Sequence, residues 1–195
     1  MSEKKSIPET SSKEIKYEPV IPPKDGDPWT ILRFRLSQHK RVLPAITSDY
    51  HFYFSPNLLG YAFVQANPKE LAEYLLKYYI PAVCIFNTLT LEHVLLSDSQ
   101  TLLYKRVIDD PISSFTIVPH PLEFYAQNRE KLVCVHGPLK GLTGYVVRIR
   151  RDRKFIFRLD NNFTFSASNI QQSSFLTLAE YSQLPQDQQV LNIIL

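Results

Sequence analysis

At 195 residues, 44% of them apolar and 21% charged, the chain can bury a sizeable core, which excludes a wholly disordered protein and suits one large or two small domains. Two cysteines, Cys84 and Cys134, sit in apolar runs without C-x-x-C spacing, so neither a disulfide framework nor a cysteine zinc site is indicated and a reducing cytoplasm is expected. The net charge is only +3, the first residues lack an apolar signal core, and no run approaches the ~20 apolar residues of a membrane helix, so a soluble protein with no membrane contact is expected.

Residues 1–27 are charged, rich in Ser and Pro, and end in Pro22-Pro23-Lys24-Asp25-Gly26-Asp27-Pro28, the composition of a mobile arm. Trp29-Thr30-Ile31-Leu32-Arg33-Phe34 reads as a first strand. Ser37 is placed to cap a short basic helix through Gln38, His39, Lys40, Arg41, Val42 and Leu43, which Pro44 limits or kinks. His51 to Phe54 and Leu58 to Val64 read as further strands around Ser55-Pro56-Asn57. Asn67-Pro68-Lys69-Glu70 is a strong helix start: the Asn side chain accepts a free amide hydrogen, Pro fits the first turn, and Glu favours the positive end of the dipole. Leu71, Tyr74, Leu75 and Tyr78 mark its buried face. Pro81 closes it, and Val83-Cys84-Ile85-Phe86 reads as a buried strand. Ser97 and Gln100 have capping-box spacing before a helix carrying Leu102, Leu103 and Arg106. Strands and helices in this order predict an α+β sandwich, an antiparallel sheet with helices on one face, over residues 28–108.

Pro111, Pro119 and Pro121 suggest a linker over 109–123. Three of the five glycines then fall between Gly137 and Gly144, in a Gly/Pro/Lys turn flanked by Val133 and Val135 on one side and Tyr145, Val147 and Ile149 on the other. This spacing predicts two half-buried strands joined by a tight loop. After the basic turn Arg150-Arg151-Asp152-Arg153-Lys154 comes a strand with Phe155, Phe157 and Leu159 on one side, and Phe163, Phe165, Ala167 and Ile170 offer later strand positions. Short strands without intervening helices predict a small barrel over 124–178, followed by a Gln-rich tail, 179–195, with an apolar end. Residues 131–159 carry eight basic side chains against Asp152 alone, an excess of +7 that leaves −4 for the remainder. Such a field attracts phosphates, although charged β-turns are often solvated surface.

The Gly137 to Ile149 segment resembles the KOW motif of SH3-like barrels. Together with Trp29 opening a strand and Gly60-Tyr61-Ala62-Phe63-Val64 ahead of a helix, it resembles the NusG family and its RfaH and UpxY-type paralogues across about residues 28–175. Leu58-Leu59 replaces the Phe-Pro usual before Gly-Tyr or Asn-Tyr, and the segment from Leu43 to Tyr50 is shorter than the family's insertion. The resemblance implies a NusG N-terminal-like α/β sandwich followed by a KOW barrel. It implies an elongation or antitermination factor that docks an apolar pocket on the clamp helices of RNA polymerase and recruits another factor through its barrel. Tyr61 and Phe63 would line that pocket with Leu58 at its rim; both aromatics are also plausible sheet core. Arg35, Gln38 and Arg41 would touch displaced non-template DNA or are ordinary solvated residues. The barrel's partner in the family is the termination factor Rho or a small-subunit ribosomal protein.

No Ser/His/Asp order, Walker loop or histidine cluster at ligand spacing is present, so a binding protein without a cofactor or metal is expected rather than an enzyme. The alternative is an RNA- or ribosome-binding KOW protein without polymerase contact, using Arg150, Arg151 and Arg153.

Overall fold

The computed structural model describes residues 20–24, 26–87, 91–110, 113–160, 162–185 and 189; most of the expected arm and the apolar end of the tail lie outside these. The chain is mixed α+β with two antiparallel sheets. At the centre of the first is β1 (Trp29–Phe34), whose alternation sends Trp29 and Ile31 to one face and Leu32 and Phe34 to the other. A 3-10 turn at Leu36–Gln38 leads into α1 (His39–Thr47), with Gln38 rather than Ser37 at its N-cap. Pro44 neither ends this helix nor shortens it. The ring costs the carbonyl of Lys40 its partner, but burial of Val42, Leu43 and Ile46 outweighs one missing bond and Pro44 itself faces out.

β2 (Phe52–Tyr53) and β3 (Tyr61–Gln65) follow, then α2 (Pro68–Lys77), where Asn67 accepts from the Lys69 amide at 3.0 Å as its residue type predicts. β4 (Ala82–Cys84), β5 (Leu95–Leu96) and α3 (Asp98–Ile108) complete this half. The sheet order is β2-β3-β1-β4, with β5 also paired to β1. The segment read as a buried strand is an edge, and Val83 and Phe86 are 55% and 51% exposed.

The second sheet runs β11 (Phe175–Thr177), β7 (Leu132–Cys134), β8 (Thr143–Ile149), β9 (Asp152–Arg158), β10 (Thr164–Ala167) and β6 (Phe115–Val118). The expected linker over 109–123 therefore contains a strand. Its prolines flank Phe115-Thr116-Ile117-Val118 instead of interrupting it, so β6 keeps every donor it needs against β10. Two short helices, α4 (Leu122–Tyr125) and α5 (Leu178–Ser182), cover other parts of this sheet, with Leu122 against Val147 and Ile156, and Tyr181 against Val133 and Val135.

Helices lie on both faces of the first sheet, not on one. α1 and α2 pack with Leu32, Phe34, Ala62 and Val64; α3 packs with Ile31 and Phe63 on the other side. That second core continues into the inner face of the second sheet through Phe155, Phe157 and Phe165. Tyr104 on α3 joins the two: its ring makes T-shaped contacts with Phe63 and with Phe165, each at 5.5 Å. Burial and then the nearby Asp160 carboxylate hold its phenol well above the usual range. The Ser55-Pro56-Asn57 turn anchors the same junction. The Asn57 amide donates to the carbonyls of Ile108 at 3.0 Å and Asp110 at 2.8 Å, closing the end of α3, while its own carbonyl accepts from the Phe115 amide at 2.9 Å.

The described end of the expected arm is tied down as well. The Gln65 side chain, buried in the sheet, accepts from the Lys24 amide at 2.9 Å and donates to the carbonyls of Lys24 and Asp27. An amide carries two donors and an acceptor, so one residue can bracket a passing chain in this way.

Candidate partner and nucleic-acid surfaces

Tyr61, Phe63 and Leu58 occupy unlike environments. Phe63 and Leu58 are each 2% exposed, inside the core shared with α3, and Phe63 is enclosed by Tyr53 at 5.7 Å and Tyr104. Their positions are those of sheet and loop core. Tyr61 sits at the start of β3 and is half-buried; it pairs across the sheet with Arg33, which pairs in turn with Val83. Because side chains of directly paired residues share a face, Tyr61, Arg33 and Val83 form one row, and Arg33 and Val83 are exposed. Burial raises the Tyr61 phenol, opposed by the Arg33 guanidinium. On the neighbouring strand β2, where it pairs with Phe63, Tyr53 donates to Asp109 and carries the Lys105 ammonium 4.7 Å above its ring.

Arg35 is exposed just after β1, Gln38 is half-buried at the end of the 3-10 turn, and Arg41 is exposed in the first turn of α1, the helix that packs on the sheet face opposite Tyr61. Arg41 is partly engaged: its guanidinium donates to the Tyr79 carbonyl at 2.9 Å, bracing the start of α1 against the end of α2. Tyr79 has φ +52 and is exposed, with Leu76, Val83 and Phe86 around an apolar groove of about 460 Å³ floored by Leu75, Ile80 and Cys84.

Arg150, Arg151 and Arg153 lie on the other sheet, at the tip of the β8–β9 hairpin. Ile149 pairs with Asp152, so Arg150 and Arg151 are the whole turn. Their φ values of +49 and +76 fit the two-residue turn that the twist of a hairpin favours, in positions where Asn-Gly is usual. Arg153 pairs directly with Arg148, which places two guanidinium-bearing residues opposite each other.

Sequence reasoning passed over Arg33, Val83 and Arg148. The two-residue alternation of Trp29, Ile31 and Arg33 places Arg33 on the Phe63 face, and was signal enough for it. Val83 and Arg148 needed the strand register. Burial pushes the thiols of Cys84 and Cys134 up to about 11, so both are protonated and poor nucleophiles at neutral pH. Among the described residues no group of three His, Cys, Asp or Glu side chains is placed to hold a metal, and no helix is long and apolar enough to cross a membrane.

No family model matches the chain and no curated protein matches it. Two solved structures show similarity, both of the MjSpt4:Spt5 complex. Conformation B aligns at 14% identity over 77% of this chain and 96% of that one, and conformation A at 16% over 77% and 97%, each with a TM-score of 0.30. A TM-score at that level does not establish a shared fold.

Proposed function

We propose that the chain is a NusG-like transcription elongation or antitermination factor that binds the clamp helices of RNA polymerase through its first sheet and another factor through the second, a KOW-type barrel. The reading makes it a cytoplasmic binding protein without catalytic chemistry. One observation carries it: the tyrosine of the Gly60-Tyr61-Ala62-Phe63-Val64 segment lies in a row with Arg33 and Val83 on the α3 face of the sheet, where Tyr61 is half-buried while Arg33 and Val83 stay exposed. A flat strip with an aromatic, an aliphatic and a cation fits the side of a helical coiled coil, whose faces alternate apolar and acidic or basic positions. Phe63 and Leu58 lie buried in the core on the same side of the sheet as Tyr61, and contact with the polymerase runs through Tyr61. Arg35, Gln38 and Arg41, next along the chain, face the displaced non-template strand.

The test is a titration of the full chain against the isolated clamp-helix coiled coil. Tyr61→Ala is expected to weaken binding about tenfold, the cost of removing one well-placed aromatic anchor. Tyr61→Phe keeps the ring and retains most of the affinity. Absence of any complex at tens of micromolar wild-type protein would overturn the assignment.

A further inference from the structure

The tip of the β8–β9 hairpin is built against local preference. Arg150 and Arg151 both adopt positive φ, where residues with a Cβ are disfavoured and Asn-Gly would be relaxed. Immediately below, Arg148 and Arg153 face each other across the ladder, an arrangement in which like charges repel. Among the described residues Arg148, Arg150 and Arg151 make no ion pair, and the one acidic side chain of the turn is Asp152. The left-handed backbone at the tip costs stability, and what the arrangement delivers is four guanidinium groups at the end of one two-stranded hairpin.

Arg153 also borders a cavity. Beside it, Leu132, Val146, Ile170, Phe175 and Thr177 enclose about 450 Å³, with Glu180 on the rim. The Phe175 ring is half-buried and packs at 4.7 Å on Phe155, which fixes it as one wall. An arginine-bearing hairpin tip beside a slot with an aromatic wall and aliphatic sides, in which Glu180 faces Arg153, matches a nucleotide better than an acidic peptide, whose carboxylates have no use for the slot.

We propose that the β8–β9 finger and the Phe175 slot form a binding site for single-stranded nucleic acid: Arg148, Arg150, Arg151 and Arg153 hold consecutive phosphates, and an unstacked base enters the slot. The site lies on the second sheet and does not depend on the polymerase-binding reading of the first. A duplex keeps its bases stacked inside and cannot fill the slot, so single strands bind more tightly than duplex of the same length. The phosphodiester chemistry is common to RNA and DNA, and the 2′-hydroxyl separates them.

The experiment is fluorescence anisotropy of the full chain with labelled 12-nucleotide RNA and DNA, duplex DNA, an abasic DNA strand and polyglutamate across a salt series. Wild-type protein is expected to bind the single strands best. Arg150→Asn combined with Arg151→Gly relaxes the turn, so its melting temperature holds or rises while affinity at 0.1 M salt falls at least tenfold and the log-log salt slope drops by about 1.4. Phe175→Leu is expected to lower affinity for the base-bearing strands about fivefold and leave the abasic strand unchanged. Preference between the RNA and DNA arms identifies the source of the strand. Equal binding by wild type and the double variant, binding of duplex or polyglutamate as tight as of single strands, or an equal effect of Phe175→Leu on abasic and base-bearing strands overturns the site.

Discussion

Gly144 sits opposite Phe157 on the neighbouring strand, and a Cβ built on it would meet the Ile156 carbonyl oxygen at 2.0 Å. Nothing in that contact can yield, because it is backbone held in a ladder. Gly144→Ala is therefore expected to destabilise the fold by on the order of 3 kcal/mol, read as a lower urea midpoint with an unchanged slope. A change below ~0.5 kcal/mol would mean that the two strands are not so closely apposed. The need for glycine in this stretch was visible in its clustering, but not which use each one serves. Gly144 is needed for close approach, whereas Gly60 has φ +85 and a Cβ there would lie 2.9 Å from the Phe34 carbonyl oxygen. Burial of Phe63 was equally undecided in sequence, since a strand residue flanked by apolar neighbours has the same pattern whether a helix or a partner covers it. The structure covers it with Tyr104.

At the scale of elements, local chemistry was legible wherever a helix carries its own start signal. Ser97 accepts from the Gln100 amide at 3.3 Å while the Gln100 side chain accepts from the Ser97 amide at 2.9 Å, the reciprocal pair that the spacing predicts. Ser97→Ala should cost about 1 kcal/mol. The same substitution at Ser99, which takes no part in capping the backbone, should cost less than half of that, and equal losses at both positions would remove the capping box as the cause. Signals that depend on a second segment were not legible. Three prolines concealed β6 because they flank it, and β4 looked buried because Val83, Cys84, Ile85 and Phe86 are all apolar, although a sheet edge exposes Val83 and Phe86. The Arg150-Arg151 turn was visible as charge, while its left-handed backbone, which costs ~1–2 kcal/mol per residue with a Cβ, emerges only from the register of β8 against β9.

Across the whole molecule, the strongest departure from expectation is that no Pro-rich spacer separates the halves. α3 is buried on the first sheet by Val107 and Ile108 and touches the second through Tyr104, so one core runs from Trp29 to Phe165. Sequence periodicity reports which face of a segment is apolar and says nothing about which element covers it, so this junction could not be read from the chain. Its consequence is cooperative unfolding. Trp29 is the single tryptophan and lies in the first sheet, its indole donating to Asp98 at 2.7 Å, so its emission reports that half alone. Phe165 lies in the second sheet with no exposed surface, and Phe165→Ala removes a ring packed on Tyr104 and Phe157 at a cost of about 4 kcal/mol. If the two sheets share one core, that loss must lower the Trp29 transition as much as it lowers the far-UV signal of the whole chain, by roughly 10 °C for a protein of this size. Were the halves independent, the Trp29 transition would stay where it is in wild type while the far-UV curve split in two. Thermal melts followed by both probes distinguish these outcomes, because coincidence of transitions is the mark of a single cooperative unit.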